Sequence, residues 1–299
     1  MNESNDEVEY RKRLIDYGFD PETGKQIAQK TERTRKAEVP GNSKPETNTT
    51  LPIWPNAMRG VPNGMLRSAL FGAIKKGPRQ TMKRECISSL DGIEIFYTGE
   101  RLDQYDLDAW ETALHIARMQ GTGRECRFRG VPFLKMMGKT NSGDNLKGLY
   151  TRLMRLKANA IELRQGRYSY VGALIDEVYK DELTDEHVVV LNPKLQGLFA
   201  ADQYTLIDNA VRQALTGKPL SQWLHGFYST HAKPYPLAVA TLHSLCGSES
   251  KHIRDFKKDL RKALDALVVA CAANGQVINY TIVNDVVSFK KSKQITLFE

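Results

Sequence analysis

Two stretches of this chain, residues 144–158 and 250–271, carry large apolar side chains along one side and lysine or arginine along the other. Apolar residues recurring three and four positions apart make one buried face of an α-helix. In the first stretch Leu146, Leu149, Leu153 and Leu156 fall together. Opposite them stand Lys147, Thr151 and Arg155, with Arg152 at the margin, and Gly148 lets the backbone come close to a surface. In the second, Ile253, Phe256, Leu260, Leu264 and Leu267 form the apolar stripe, while Lys251, Arg254, Lys258, Arg261 and Lys262 face outward. Lys251 to Lys262 hold six basic residues against two aspartates, so the outer face carries a net positive charge.

The surroundings of the two helices repeat. A strand is expected at 92–98, and a helix at 106–119 on the spacing of Leu107, Trp110 and Leu114. A short strand near 126–129, a short helix at 131–137 and a glycine-rich turn lead into the first basic helix. Strands at 160–164 and 169–178, joined around Gly166, follow it, with a further strand at 187–191. The second half reads as helices at 204–215 and 219–230, a short helix at 237–245, a turn, the second basic helix, and strands at 276–280 and 286–290 around Asn284-Asp285. The expected fold class is α+β: two tandem winged-helix domains, each a helix-turn-helix with a β-hairpin wing. Residues 51–200 and 201–290 would form the two domains, with a tail at 291–299. Residues 1–50 read as a helical extension followed by a linker, because 33–50 are too poor in large apolar groups to build a core.

A recognition helix needs an apolar face for its own domain and an outer face of donors for base edges and phosphates. Both basic helices meet that requirement, and the major groove of double-stranded DNA admits one helix. The whole chain agrees, with 43 Lys and Arg against 35 Asp and Glu, a net charge of +8 that favours a polyanionic partner. Arg164 and Arg167, at the first hairpin, are placed either on backbone phosphate or in a solvated turn. The spacing does not separate base readers from phosphate binders.

Other chemistries find little support. The four cysteines, Cys86, Cys126, Cys246 and Cys271, form no C-x-x-C pair and have no histidine at metal-ligand spacing, so no metal is expected. No apolar run reaches membrane-spanning length and the first residues are acidic, so a cytoplasmic chain without membrane contact is expected. Gly138-Lys139-Thr140 ends like a phosphate-binding loop, but the first glycine that loop requires is replaced by Phe133. His115-x-x-Arg118 with Tyr150 downstream has the look of a recombinase site, yet Tyr150 lies within the basic helix and His115 borders an apolar face. Neither catalytic activity nor a cofactor is expected.

The run LPIWPNAMRGVPNGMLRSALFGAIKK at 51–76 resembles the entry block of the TrfA-type plasmid replication initiators, through Trp54-Pro55, Met58-Arg59, Pro62-Asn63 and Arg67-Ser68-Ala69-Leu70-Phe71. YRKRLIDYGF (10–19), FYTGERL (96–102) and FYSTHAKPYPLAVATLHSLCGSES (227–250) resemble the same family, so the likeness covers nearly the whole chain. It implies binding to repeated origin sites, called iterons, opening of a nearby AT-rich region, and recruitment of the host initiator and replicative helicase. It also implies monomers as the origin-binding form, with a homodimer in reserve.

Near the C-terminus, Gln294-Ile295-Thr296-Leu297-Phe298 resembles the peptide by which many bacterial proteins bind the replicative sliding clamp. An aliphatic and aromatic pair, Leu297 and Phe298, is a suitable anchor for an apolar pocket, with Gln294 setting register by hydrogen bonds and Ile295 beside it. The family carries a similar motif before the Trp-Pro block, where this chain reads PETNTTLPIW. Two other readings stay open: the peptide helps hold single-stranded origin DNA, or it packs as a last strand. For the chain as a whole, the alternative to an initiator is a transcriptional repressor using the same DNA-binding units.

Overall fold

The computed structural model describes residues 51–292, except 76, 91, 166, 167, 182, 185 and 201. The expected N-terminal extension and linker, Arg167, and Gln294, Ile295, Leu297 and Phe298 therefore lie outside the described residues.

The chain begins with β1 (Met58–Pro62), α1 (Asn63–Leu66), β2 (Phe71–Gly72), β3 (Thr81–Ile87), β4 (Ile93–Glu100) and β5 (Leu102–Asp103). Next come α2 (Gln104–Met119), β6 (Glu125–Phe128), α3 (Gly130–Met136), α4 (Gly143–Lys157), β7 (Ala160–Gln165), β8 (Tyr168–Gly172), β9 (Ile175–Asp181) and β10 (Glu186–Leu191). After a 3-10 turn at Pro193–Phe199 follow β11 (Tyr204–Asp208), α5 (Asn209–Ala214), α6 (Pro219–Ser229), β12 (Leu237–Ala238), α7 (Val239–Leu245), α8 (Ile253–Ala273), β13 (Val277–Val283) and β14 (Val286–Ser292).

Local chemistry starts the helices. Asp103 accepts the backbone N–H groups of Tyr105 and Asp106, while Asp106 accepts that of Asp103 at 2.9 Å, a reciprocal cap for α2. Ser142 caps α4 and Asp208 caps α5. Gly138 ends α3 in the left-handed conformation, φ 68°, which explains the glycine of Gly138-Lys139-Thr140 as a helix stop. Asn284 and Asp285 both have positive φ, the geometry of a tight two-residue hairpin between β13 and β14.

One arrangement occurs twice. In the first half α2, β6, α3 and α4 are completed by β9 and β10, in a sheet ordered β6-β10-β9. In the second, α6, β12, α7 and α8 are completed by β13 and β14, ordered β12-β14-β13. In both sheets the last strand lies between the other two. The first half also carries an insertion: β7 and β8, which directly follow α4, pair with β3 and β4 in a separate sheet ordered β3-β4-β7-β8.

Three expectations are corrected here. The hairpin after α4 is not the one that completes its unit, because the unbroken strand expected at 169–178 divides between β8 and β9. β8 then completes the inserted sheet and only β9 returns to β6 and β10. The stretch 204–215 is not one helix: its first five residues form β11, antiparallel to β1, and only Asn209–Ala214 is helical. Leu237 and Ala238, expected as helix, form a short strand beside β14.

Each half has its own apolar core, one from Leu51 to Ile207 around Trp110, the other from Val211 to Phe289 around Trp223 and Phe227. Between them lies a dense polar seam centred on Arg212, which is 2% exposed. Its Nε donates to Asp108 Oδ1 at 2.6 Å and lies 3.1 Å from Glu111 Oε1. Its Nη2 donates to the Gln104 carbonyl at 3.1 Å and Gln104 Oε1 at 3.2 Å. Gln222 on α6 donates to the other Asp108 oxygen at 3.3 Å. Around this centre Trp223 Nε1 donates to the Ser68 carbonyl (3.0 Å), Arg67 to the Thr230 carbonyl (2.7 Å) and Arg101 to the Gly247 carbonyl (2.8 Å).

Burial pushes Glu111 up to about 7 against the pull of Arg212, and its Oε2 has no hydrogen-bond partner among the described residues. Arg212→Met should therefore destabilise the chain by roughly 3–5 kcal/mol at pH 8, the cost of leaving buried charges uncompensated. Without the arginine, Glu111 binds its proton more tightly folded than unfolded, so protonation favours the fold as pH falls. The deficit should shrink between pH 8 and 5.5 in urea melts; a pH-independent deficit would contradict the seam's charge balance.

Candidate nucleic-acid interface

The two basic helices present different surfaces. On α8, Phe256, Leu260, Leu264 and Leu267 are buried in the second core. Ile253 is not: as the first helical residue it lies past the edge of that core and is 48% exposed, which corrects the expected stripe. Lys251, Arg254, Lys258, Arg261 and Lys262 are all exposed. Arg254, Lys258 and Arg261, spaced four and three apart, make one row along the helix, with Lys262 beside it. Lys251, Lys258, Arg261 and Lys262 form no ion pair among the described residues, and Arg254 only a loose 4.0 Å approach to Asp255. Lys257, by contrast, is tied to Asp285 in the hairpin turn. The row is thus a set of uncommitted cations on a helix anchored from behind.

On α4 the buried face is Leu149, Leu153 and Leu156, with Leu146 half-buried. The outward face is Lys147, Tyr150, Thr151, Met154 and Lys157. Arg152 and Arg155, expected on or near that face, turn instead toward α2. Arg155 Nη1 donates to Asp106 Oδ1 at 2.8 Å and its Nε to Glu100 Oε2 at 3.0 Å. Arg152 donates to the Gly148 carbonyl at 2.6 Å and lies 5.1 Å from the centre of the Tyr105 ring. Thr151 Oγ1 donates to the Lys147 carbonyl at 3.0 Å, leaving its oxygen free to accept. The physical reason is the cap of α2: Asp106 is fully buried there, pushed up to about 7 by burial and by Asp103, and Arg155 is the cation that faces it.

Tyr150, Met154 and Lys157 are therefore what helical spacing missed. Centring the apolar face on the leucines leaves Arg155 looking outward. Only a distant residue, Asp106, reveals that α2 covers that flank.

Arg164 lies on β7, exposed, 3.3 Å from Glu94 on β4. It belongs to the inserted sheet, not to the hairpin that completes the α4 unit. Elsewhere His115 is buried and accepts the Trp54 indole N–H on Nδ1 at 3.1 Å. Burial drives its pKa down to about 2, so the ring is neutral and structural. Among the described residues no cluster of His, Cys, Asp or Glu is arranged to hold a metal ion.

A helix seated on a helix–strand–helix frame and completed by a hairpin thus occurs twice in this chain. The fold is similar to that of domains 2 and 3 of RctB, with a TM-score of 0.52 at 14% identity over 76% of this chain and 97% of that one. A Pi initiator protein in complex with iteron DNA aligns with a TM-score of 0.46 at 11% identity, over 62% of this chain and 90% of that one. The TrfA protein family model matches residues 46–291, and the chain belongs to that family. It is 26% identical over 222 residues to the plasmid replication initiator protein TrfA of Escherichia coli, a match covering 72% of this chain and 58% of that relative's length.

Arg155→Ala should cost roughly 3 kcal/mol, because it leaves a buried Asp106 without its cation. Lys147→Ala, on the exposed stripe of the same helix, should change stability by less than about 0.5 kcal/mol. Urea melts of the two variants distinguish a structural arginine from a surface lysine.

Proposed function

We propose that this chain binds repeated double-stranded DNA sites in a plasmid origin and starts replication there without catalysis of its own. The observation that carries this reading is the uncommitted row Arg254, Lys258 and Arg261 on α8, in a unit whose layout recurs around α4. We read both units as winged helices, with β9–β10 and β13–β14 as wings, dividing between β11 and α5. Residues 51–208 and 209–292 would then be the two domains. Lys251, Arg254, Lys258, Arg261 and Lys262 serve the second unit, Lys147 and Thr151 the first. Arg164, set apart on the inserted sheet, would touch only flanking phosphate, and Arg167, three residues further along the sequence, is assigned the same role.

Family membership supports the replication role over a repressor, as do the residues after β14. We assign Gln294, Ile295, Leu297 and Phe298 to the host sliding clamp. Opening of the origin, contact with single-stranded origin DNA, recruitment of host initiator and helicase, and a homodimeric reserve form are parts of the same proposal. No helix among the described residues is long and apolar enough to cross a membrane, and a cytoplasmic, plasmid-associated site of action is proposed.

The test is a footprint on the DNA adjoining the gene. Protection of a series of direct repeats is expected; protection of one promoter operator alone would favour the repressor. If Lys258 contacts phosphate, Lys258→Ala should weaken binding evenly across sequences and lower the salt slope by about 1. If Arg261 reads guanine, Arg261→Ala should cost about 1–3 kcal/mol and relax the preference at one position. Deleting residues 294–299 should abolish clamp binding and impair plasmid maintenance while leaving the footprint intact.

A further inference from the structure

The outward stripe of α4 is unusual for a DNA-facing helix because its centre is apolar. Tyr150 is 52% exposed and Met154 42% exposed, one turn apart on the same side. Neither side chain makes a hydrogen bond, ion pair or ring contact among the described residues, so the inner packing of the half does not account for them. Lys147 and Lys157 stand at the two ends of the stripe, ten residues or about 15 Å apart along the axis. No acidic residue lies between them on that face. A scattered exposed apolar residue needs no explanation. Two stacked ones bracketed by cations, on the helix that corresponds by position to basic α8, form a patch complementary to an apolar spot on a polyanion.

The major groove contains one such spot, the 5-methyl group of thymine. A cytosine or guanine edge placed against Met154 would lose its water and gain no hydrogen bond, at a real cost. Methionine suits a methyl contact because its thioether is unbranched, polarizable and adaptable. The tyrosine ring offers an apolar body for the same purpose, with its hydroxyl at the wet rim. The lysines sit where they can meet the phosphates on either side, supplying affinity without choosing a base.

We infer that Tyr150 and Met154 are specificity-determining residues that read thymine 5-methyl groups in one segment of the repeated site, while the cationic α8 reads the other segment. This rests on the origin-binding reading above. The two units would then divide the work: α8 supplies most of the electrostatic affinity, and α4 discriminates T·A from the other pairs through shape and apolar contact.

Replacing single thymines of the footprinted repeat by deoxyuridine removes the methyl and nothing else. With the full chain, one or two such replacements should weaken binding about three- to fivefold, the value of roughly one buried methyl, while the remainder are neutral. Met154→Ala and Tyr150→Ala should each bind thymine DNA more weakly and lose the penalty for uracil at their own position, with unchanged melting midpoints. The inference is overturned if every replacement is neutral for the wild type, or if the variants weaken thymine and uracil DNA by the same factor. It is equally overturned if they dissociate a dimer in sedimentation without altering thymine preference, since the face would then belong to a second copy. Absence of any protected repeat would remove the origin-binding reading and this inference with it; protection without methyl sensitivity removes the inference alone.

Discussion

The buried guanidinium of Arg212 ties the molecule together. It reaches from α5, at the start of the second half, into α2, the central helix of the first, where Asp108, Glu111 and the Gln104 carbonyl surround it. A fully buried cation is expensive unless every donor is satisfied and opposite charge is adjacent. Those conditions hold only if α2, α5 and α6 keep one relative placement. The seam thus specifies geometry more than it adds stability. A half-turn of either unit would leave a charge alone in the interior, a penalty no alternative packing offsets.

The same helix organises both ends of the first half. On one flank α2 presents Asp108 and Glu111 to the second half; at its N-terminus it presents Asp106 to Arg155 of α4. The outward face of α4 and the position of α8 are therefore referred to a common element. This explains why the arginines that look most like DNA contacts on α4 are occupied, and why its exposed stripe consists of Lys147, Tyr150, Thr151, Met154 and Lys157. It also explains the role of the block at 51–76 that carries the family likeness. Trp54 packs on Gly60 and donates to His115, Arg67 holds Thr230, and the Ser68 carbonyl accepts from Trp223. Through Arg67 and Ser68 that block forms part of the joint between the halves.

Much of this was legible in the sequence where physics is local. Apolar periodicity marked α2, α4 and α8, and the order of elements exposed the repeated layout. The basic row of α8 reads as outward from local spacing alone, because among the described residues no other element covers it. What could not be read depends on partners far along the chain. Arg152 and Arg155 turn inward because of Tyr105 and Asp106, some fifty residues earlier. β11 looked helical because its partner is β1, and the hairpin after α4 looked like a wing because nothing nearby reveals its pairing with β4. Arg212, in a short helix, resembled any surface arginine until Asp108 and Glu111 faced it.

On the origin-binding proposal, a seam that fixes the two units makes them one rigid reader, and DNA spacing tests that directly. Insert five base pairs, half a helical turn, between the two segments protected within one repeat, and measure binding by the full chain. Rigid placement requires the far segment to rotate to the opposite side of the duplex, so affinity should fall by about two orders of magnitude, toward that of one segment alone. Undiminished affinity at the new spacing would mean that the units move independently, contradicting a geometry locked through Arg212.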